Sequence, residues 1–303
     1  MASRNPSGSA FVAAFLRGFH AVHDNPKIFN DTLAFELVPE EVREGLKRHL
    51  SESAAQMAPE LAKECIDAEA SFRIAMRTMA GPMLARARFV EERLEEAIGK
   101  GINQYVILGA GLDTFAFRRL DLAGRLKVFE LDLPETQEVK RHLLARINLE
   151  KPENLHYIAV DFTREDLASA LTKSEYDPRQ LSFFSWMGVT QYLPLEAIWT
   201  TLKAIVSLSS SGNEIVFDYY DKSAFDPEKA SYRLKYIMER TKSTGETMIT
   251  GFEPSTLGME LGRLGLCLLD NLGPQEIQKR YFTEYNEDYS ASEHVHLASA
   301  IVK

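Results

Sequence analysis

The hydrophobic rhythm of the chain changes once, near residue 100. Before that point apolar residues recur at three and four, the spacing of helices that bury one face. Val38 to Leu50 opens on Pro39, Glu40 and Glu41, a composition suited to a helix N-terminus, and Pro59 to Ala80 keeps the same period. Arg86 to Ile98 is predicted as an amphipathic helix with a Glu-rich outer face, closed by Gly99 and Gly101. Phe11, Phe15 and Phe19 stand four apart, so the segment that carries them either covers a site or packs on the core. After residue 100 short, nearly continuous apolar runs alternate with helical stretches. Runs ending at Leu108, Asp132, Asp161, Met187 and Tyr220 are predicted strands; Pro134 to Ile147 and Pro194 to Leu208 are predicted helices. Such alternation implies a parallel sheet covered on both faces. Gly265 to Leu272 and Val295 to Val302 are joined by a polar connection without a convincing helix, and are predicted to pair antiparallel as a closing hairpin.

The strand ends carry the chemistry. The first run breaks into Gly109-Ala110-Gly111 and then Asp113, a turn whose backbone can approach a nucleoside-bearing ligand closely. A dinucleotide fingerprint would place a third glycine at position 114 to admit a pyrophosphate, but that residue is Thr114, which weighs against a nicotinamide dehydrogenase. An acid in the turn instead suits a ligand with a cationic amine, and so points to S-adenosylmethionine. The second run ends in Asp132 roughly 20 residues on, the spacing at which such folds set a carboxylate against ribose hydroxyls. The third ends in Asp161-Phe162, an acid followed by an aromatic that could lie near an adenine ring.

Composition narrows the class. With 303 residues, 45% of them hydrophobic, the chain can bury one large core. A formal net charge of −9 disfavours a nucleic-acid partner, and the basic pairs Arg118-Arg119 and Lys140-Arg141 read as solvated helix faces. The apolar patch from Ala10 to Leu16 is too short to span a bilayer and lacks signal-peptide flanks, so no membrane partner is expected. Cys65 and Cys267 form neither a disulfide framework nor a metal spacing; they suggest core packing and a reducing, cytoplasmic setting. The seven histidines make no metal cluster, and no metal is expected.

The segments Ala85-Arg-Ala-Arg-Phe-Val-Glu91, LGAGLDTFAFR, FELDLPETQEVKR, VDF and SFFSWMGVTQYL resemble the leucine carboxyl methyltransferase-like class I methyltransferases, including their bacterial polyketide O-methylation branch. The resemblance extends from about Phe29 to the C-terminus. It implies a Rossmann-like α/β fold with a seven-stranded, mostly parallel sheet, a C-terminal antiparallel hairpin, helices on both faces and an N-terminal helical cap over 1–100. It also implies S-adenosylmethionine as cofactor. The family's carboxylate-binding arginine falls on Arg86, with Arg88 a near alternative; its ribose acid falls on Asp132, followed by Leu133; its adenine-contacting pair falls on Asp161 and Phe162. One position departs. The family often has Glu at the fourth strand end, where this chain has Met187-Gly188, so a polar cofactor contact from that turn is in question.

These features together predict an S-adenosylmethionine-dependent O-methyltransferase acting on a carboxyl or hydroxyl oxygen of a small molecule, such as a metabolite or natural product. A cofactor-binding regulatory protein without turnover, and another reaction of the same cofactor, are the competing readings, because cofactor motifs do not fix the acceptor. Gln191 and Tyr192, just past the fourth strand, are the acceptor-side candidates, and either tyrosine of Asp218-Tyr-Tyr-Asp221 could line the pocket. The methyltransferase domain is expected to span 101–303. Residues Asp221 to Gly251 are too many for a plain connection and are predicted to form a mobile lid with a helical core from Glu228 to Arg240.

Overall fold

The computed structural model describes residues 8–63, 65–162, 165–208, 211–283 and 288–303. Five helices come first: α1 (Gly8–His23), α2 (Thr32–Leu37), α3 (Glu40–Met57), α4 (Pro59–Ala62) and α5 (Ala68–Gly99). Strands and helices then alternate through β1 (Gln104–Leu108), α6 (Phe115–Arg118), β2 (Lys127–Asp132), α7 (Pro134–Arg146), β3 (Leu155–Ala159), α8 (Leu167–Thr172), β4 (Ser182–Trp186), α9 (Leu195–Leu208) and β5 (Glu214–Tyr220). The chain closes with α10 (Tyr232–Ser243), α11 (Leu257–Gly262), β6 (Leu266–Leu272), α12 (Pro274–Tyr281) and β7 (Val295–Val302).

The seven strands form one sheet in the order β3-β2-β1-β4-β5-β7-β6. β1 to β5 run parallel, and β7 enters antiparallel between β5 and β6. Every residue of β1 is buried, because alternate side chains enter different layers. Tyr105 and Ile107 join the layer beneath α1, α3, α5 and α7, whereas Val106 and Leu108 join the layer beneath α8, α9 and α11. Covered on both faces, the sheet needs the unbroken apolar strands that the sequence displays. No helix among the described residues is long and apolar enough to cross a membrane.

Three expectations need correction. The helix expected over Pro59 to Ala80 is instead two, α4 ending at Ala62 and α5 beginning at Ala68, where the Asp67 carboxylate accepts from the Ala70 N–H (2.8 Å). From there α5 runs unbroken into the segment read as a separate helix, passing through Pro82. Proline has no N–H for the carbonyl four residues earlier, so the Thr78 carbonyl loses its helical donor. Arg233 of α10 takes that place: its Nη1 donates to Thr78 O at 2.7 Å. The link between β6 and β7 does contain a helix, α12, which escapes periodicity because it is eight residues long and buries only Ile277 and Tyr281. Lastly, Cys65 and Cys267 are half-buried rather than packed in the core, one in the connection between α4 and α5, the other on edge strand β6.

Candidate active site

A cavity of about 700 Å³ opens above the carboxyl ends of β1, β2 and β4, the place where open α/β sheets bind ligands. Its volume falls within the roughly 300–1,000 Å³ usual for small-molecule sites. The sheet supplies its floor, and α1, α3, α5 and α10 supply its roof.

The floor is organised by one turn. Gly109 and Ala110 donate their N–H groups to Leu131 O (2.8 and 3.0 Å), which draws the chain across the end of β2. Both glycines take positive φ, 72° at Gly109 and 52° at Gly111, a region that residues with a Cβ enter at a cost. A Cβ at Gly109 would also stand 2.5 Å from Val189 Cγ2. Asp132 closes the turn by accepting from Gly111 N–H (2.6 Å) through Oδ2 and from Leu133 N–H (2.7 Å) through Oδ1. Burial raises its pKa, and these two amide donors oppose the rise. Thr136 also bonds this carboxylate through its side chain, and of the acceptor sites on the two oxygens one remains for a ligand hydroxyl. The acid thus both builds the turn and faces the cavity.

Ala110, Asp113 and Leu133 lie on the same wall, with Asp161 and Phe162 beyond β3 and Met187 beyond β4. Asp113 has a local duty as well: its Oδ1 accepts from Phe115 N–H (2.7 Å) at the start of α6. The N-terminal helices are tied to this turn through Asp31, which caps α2 by accepting from Ala34 N–H (3.1 Å) and also accepts from Thr114 Oγ1 (2.7 Å) and Arg17 Nε (3.1 Å). Burial works against the Asp31 charge, but Arg17, Arg118 and the Thr114 hydroxyl outweigh it and hold the pKa below the usual range. Thr114 therefore joins the helical roof to the turn, a role that no local pattern announces.

Arg86 and Arg88, 200° apart around α5 by helix geometry, separate as one inside and one outside. Arg86 is 6% exposed and reaches the cavity wall, where its guanidinium forms an ion pair with the fully buried Asp218 of β5. Burial disfavours the Arg86 charge, but Asp218 more than restores it. Arg86 Nε finds no hydrogen-bond partner among the described residues. Arg88 instead donates to Glu92 Oε1 (2.6 Å) and Ile28 O (3.0 Å) and does not line the cavity, so the alternative assignment to Arg88 is corrected.

Asp218 went unread in the sequence. It accepts from Gly188 N–H (2.6 Å), so the turn after β4 does hold a carboxylate, supplied by the neighbouring strand rather than by position 187. The signal was available in the acid interrupting the apolar run of β5. Tyr220 lines the cavity, whereas Tyr219, one residue earlier, points to the other face and stacks on His296. Gln191 and Tyr192 both reach the wall. Burial first, then neighbouring Tyr220 and Glu246, pushes the Tyr192 phenol well up, so it stays protonated and can donate. Gln191 is 3% exposed, and its side-chain carbonyl has no partner among the described residues, while its backbone carbonyl accepts from Ile249 N–H (2.8 Å). Trp186 is core, not wall. Among the described residues no group of three His, Cys, Asp or Glu side chains could hold a metal ion.

The chain is similar to several known proteins in sequence and in fold. The family model described as leucine carboxyl methyltransferase matches residues 10–206. A Bacillus subtilis (strain 168) protein, YktD, provisionally named an S-adenosyl-L-methionine-dependent methyltransferase, is 31% identical over 305 residues, covering 100% of both chains. A DUF574 family protein from Streptomyces avermitilis shares the fold with a TM-score of 0.60 at 11% identity, covering 98% of each chain. A provisionally named methyltransferase from Thermobifida fusca shares it with a TM-score of 0.56 at 16% identity, covering 100% of this chain and 97% of the other.

Proposed function

The chain belongs to the leucine carboxyl methyltransferase family, and on that premise we propose that it transfers a methyl group from S-adenosylmethionine to a carboxyl or hydroxyl oxygen of a small molecule. The observation that carries this reading is the single wall shared by the Gly109–Gly111 turn, the Asp132 carboxylate and the Arg86 guanidinium. Backbone without side chains, a carboxylate acceptor and a buried cation match the nucleoside, the ribose and the carboxylate of such a cofactor. The place of Arg86 on the cavity wall supports the last match, since a guanidinium there would pair with a carboxylate.

When bound, S-adenosylmethionine supplies a methyl group that is already electrophilic. What the protein must add is placement, and orientation of two reactants can remove about 7–11 kcal/mol of a barrier. Three groups around Arg86 are unsuited to take a proton. Burial keeps the Tyr192 and Tyr220 phenols protonated, and Asp218 is committed to Arg86 and Gly188. That arrangement favours an acceptor that arrives ionised. A carboxylate does so at neutral pH, whereas a phenol with a pKa near 10 gains from a base.

Residues 221–251 serve in this reading as a lid. α10 within it starts at Tyr232, four residues later than expected, where Ser231 Oγ accepts from Leu234 N–H (3.2 Å), and it roofs the cavity with Tyr236 and Ile237. Proteolysis near exposed Lys242 should be slowed by S-adenosylhomocysteine together with an acceptor. Equal rates with and without ligands would leave the roof rigid.

Methyl-labelled cofactor incubated with mixed acceptors and followed by mass spectrometry tests the function. Labelled product should appear together with acceptor-dependent S-adenosylhomocysteine. Tight cofactor binding without turnover across the mixtures would favour a regulatory role instead.

A further inference from the structure

The cavity is two compartments with different chemistry. The floor at the strand ends is polar and backbone-rich. The roof is apolar: Phe11 and Phe15 from α1, Leu46 and Leu50 from α3, and Met79 from α5 all face inward. Met79 and Arg86 lie seven residues apart on α5, so the apolar compartment extends about 10 Å along the helix axis from the guanidinium, at 1.5 Å per residue. Methionine is unbranched and polarisable and adapts to varied apolar shapes; rigid phenyl rings stand opposite. Arg240, Thr244 and Glu246 also line this part of the cavity, whereas three further polar groups near it are engaged with one another. Tyr236 OH bonds His49 Nε2 (2.6 Å) and donates to Ser53 Oγ (3.0 Å), tying α10 to α3. Burial and the Arg240 charge depress the His49 pKa, which keeps a neutral ring beside the apolar surface.

From this division we propose that the methyl acceptor is an elongated apolar carboxylic acid, its carboxylate held beside Tyr192 and Gln191 and its hydrocarbon body lying along α5 as far as Met79. The proposal rests on the methyltransferase reading and adds the acceptor class to it. A small polar acid would leave the aromatic and methionine wall facing water. A sugar-like acceptor would set polar groups against the phenyl, leucine and methionine side chains, which cannot pair them. A long acid satisfies both ends at once. Its carboxylate meets the Tyr192 hydroxyl as donor; its lone pair would form the new oxygen–carbon bond as the sulfonium–methyl bond breaks and leaves its electron pair on sulfur, so no proton remains to be removed.

The test uses full-length protein saturated with S-adenosylhomocysteine and titrates butyrate, hexanoate, octanoate and dodecanoate by calorimetry. Each buried methylene should tighten binding about fourfold, the equivalent of about 0.8 kcal/mol, with the gain levelling once the chain spans the compartment. Met79→Trp should flatten the series at the shorter acids while S-adenosylhomocysteine binds as in the parent. Leu46→Trp, on the opposite wall, provides the same test should the first variant not fold. Octanoate binding no more tightly than butyrate, with S-adenosylhomocysteine bound normally, would overturn the acceptor class and leave the methyltransferase reading standing. Failure of S-adenosylhomocysteine itself to bind would overturn both. A graded series in the parent that neither tryptophan alters would place the hydrocarbon elsewhere and reject the compartment along α5.

Discussion

Two buried ion pairs stand on the same sheet, and only one of them belongs to the site. Arg86 and Asp218 face the cavity; Glu130 of β2 and Lys140 of α7 are each 1% exposed and do not reach its wall. Both pairs required two charges to leave water, which costs several kcal/mol per ion before their attraction is counted. By burial and charge they are nearly indistinguishable, and in the Glu130–Lys140 pair burial pushes the Glu130 carboxyl up to about 7 against the pull of Lys140. What separates them is the space beside each. Arg86, whose Nε has no hydrogen-bond partner among the described residues, lies on the wall of a cavity beside the Gly109–Gly111 turn. Glu130 Oε1, also without a hydrogen-bond partner among the described residues, sits in closed packing near Tyr157. A perturbed carboxyl is thus a poor guide to function unless the space beside it can admit a ligand.

The sharpest way to break this contrast is to replace each pair with apolar residues. Arg86→Met with Asp218→Leu should lower S-adenosylhomocysteine affinity by about a thousandfold, read by calorimetry. Glu130→Leu with Lys140→Met should leave affinity within about threefold and thermal stability equal or higher, because apolar replacement of a buried pair is often neutral or stabilising. Equal losses from the two double variants would dissolve the distinction. Asp132→Ala comes next: loss of charge-assisted hydrogen bonds should weaken the same ligand by about a hundredfold, or about 3 kcal/mol. Near-parental affinity in a folded Asp132→Ala protein would confine that carboxylate to building the turn. A smaller effect, about tenfold, is expected for Arg86→Lys, since an ammonium cannot reproduce the guanidinium fork, while Arg88→Lys should change little. The opposite ranking would return the role to Arg88.

The weakest expected signal is a pH dependence of stability. The folded-state pKa of Glu130 lies at about 7, above its ordinary value of 4.5. Between those values the folded protein retains a proton that the unfolded chain has released, so this group's contribution falls as pH rises from about 4.5 to 7. Denaturant titrations at pH 5 and pH 8 should show that decline in the parent and its absence in the Glu130→Leu/Lys140→Met variant. A decline of the same size in both would assign the slope to other groups.

The sequence was most informative where function depends on local chain geometry. The Gly109–Gly111 turn, Asp132, and the acid and aromatic at Asp161 and Phe162 each follow directly from a strand ending in a special residue, and the structure sets them on one wall. Antiparallel closure by β6 and β7 was legible for the same reason, as two isolated apolar runs. Asp218 was not, because its meaning lies in a guanidinium 132 positions earlier, a difference that local spacing does not encode. Asp31 and Thr114 pair across 83 positions and are hidden in the same way. The unbroken α5 was missed because Pro82 ordinarily ends a helix, and the donor that rescues it lies 155 residues beyond Thr78.

That rescue binds the history of two positions together. Replacing Pro82 with alanine would return an N–H to the Thr78 carbonyl and make the Arg233 contact there redundant. Removing Arg233 first would leave the partly buried carbonyl without that donor, at a cost that rises with burial toward about 1–3 kcal/mol. The two substitutions are therefore not interchangeable in order. A lineage can release the arginine after the proline has gone, but the reverse route crosses a less stable intermediate. Arg233 also donates to Ala291 O (2.7 Å) and pairs with Glu293 (2.8 Å), so even the permitted route keeps two reasons to retain it. A break in one helix has in this way become a ratchet on the segment that roofs the cavity.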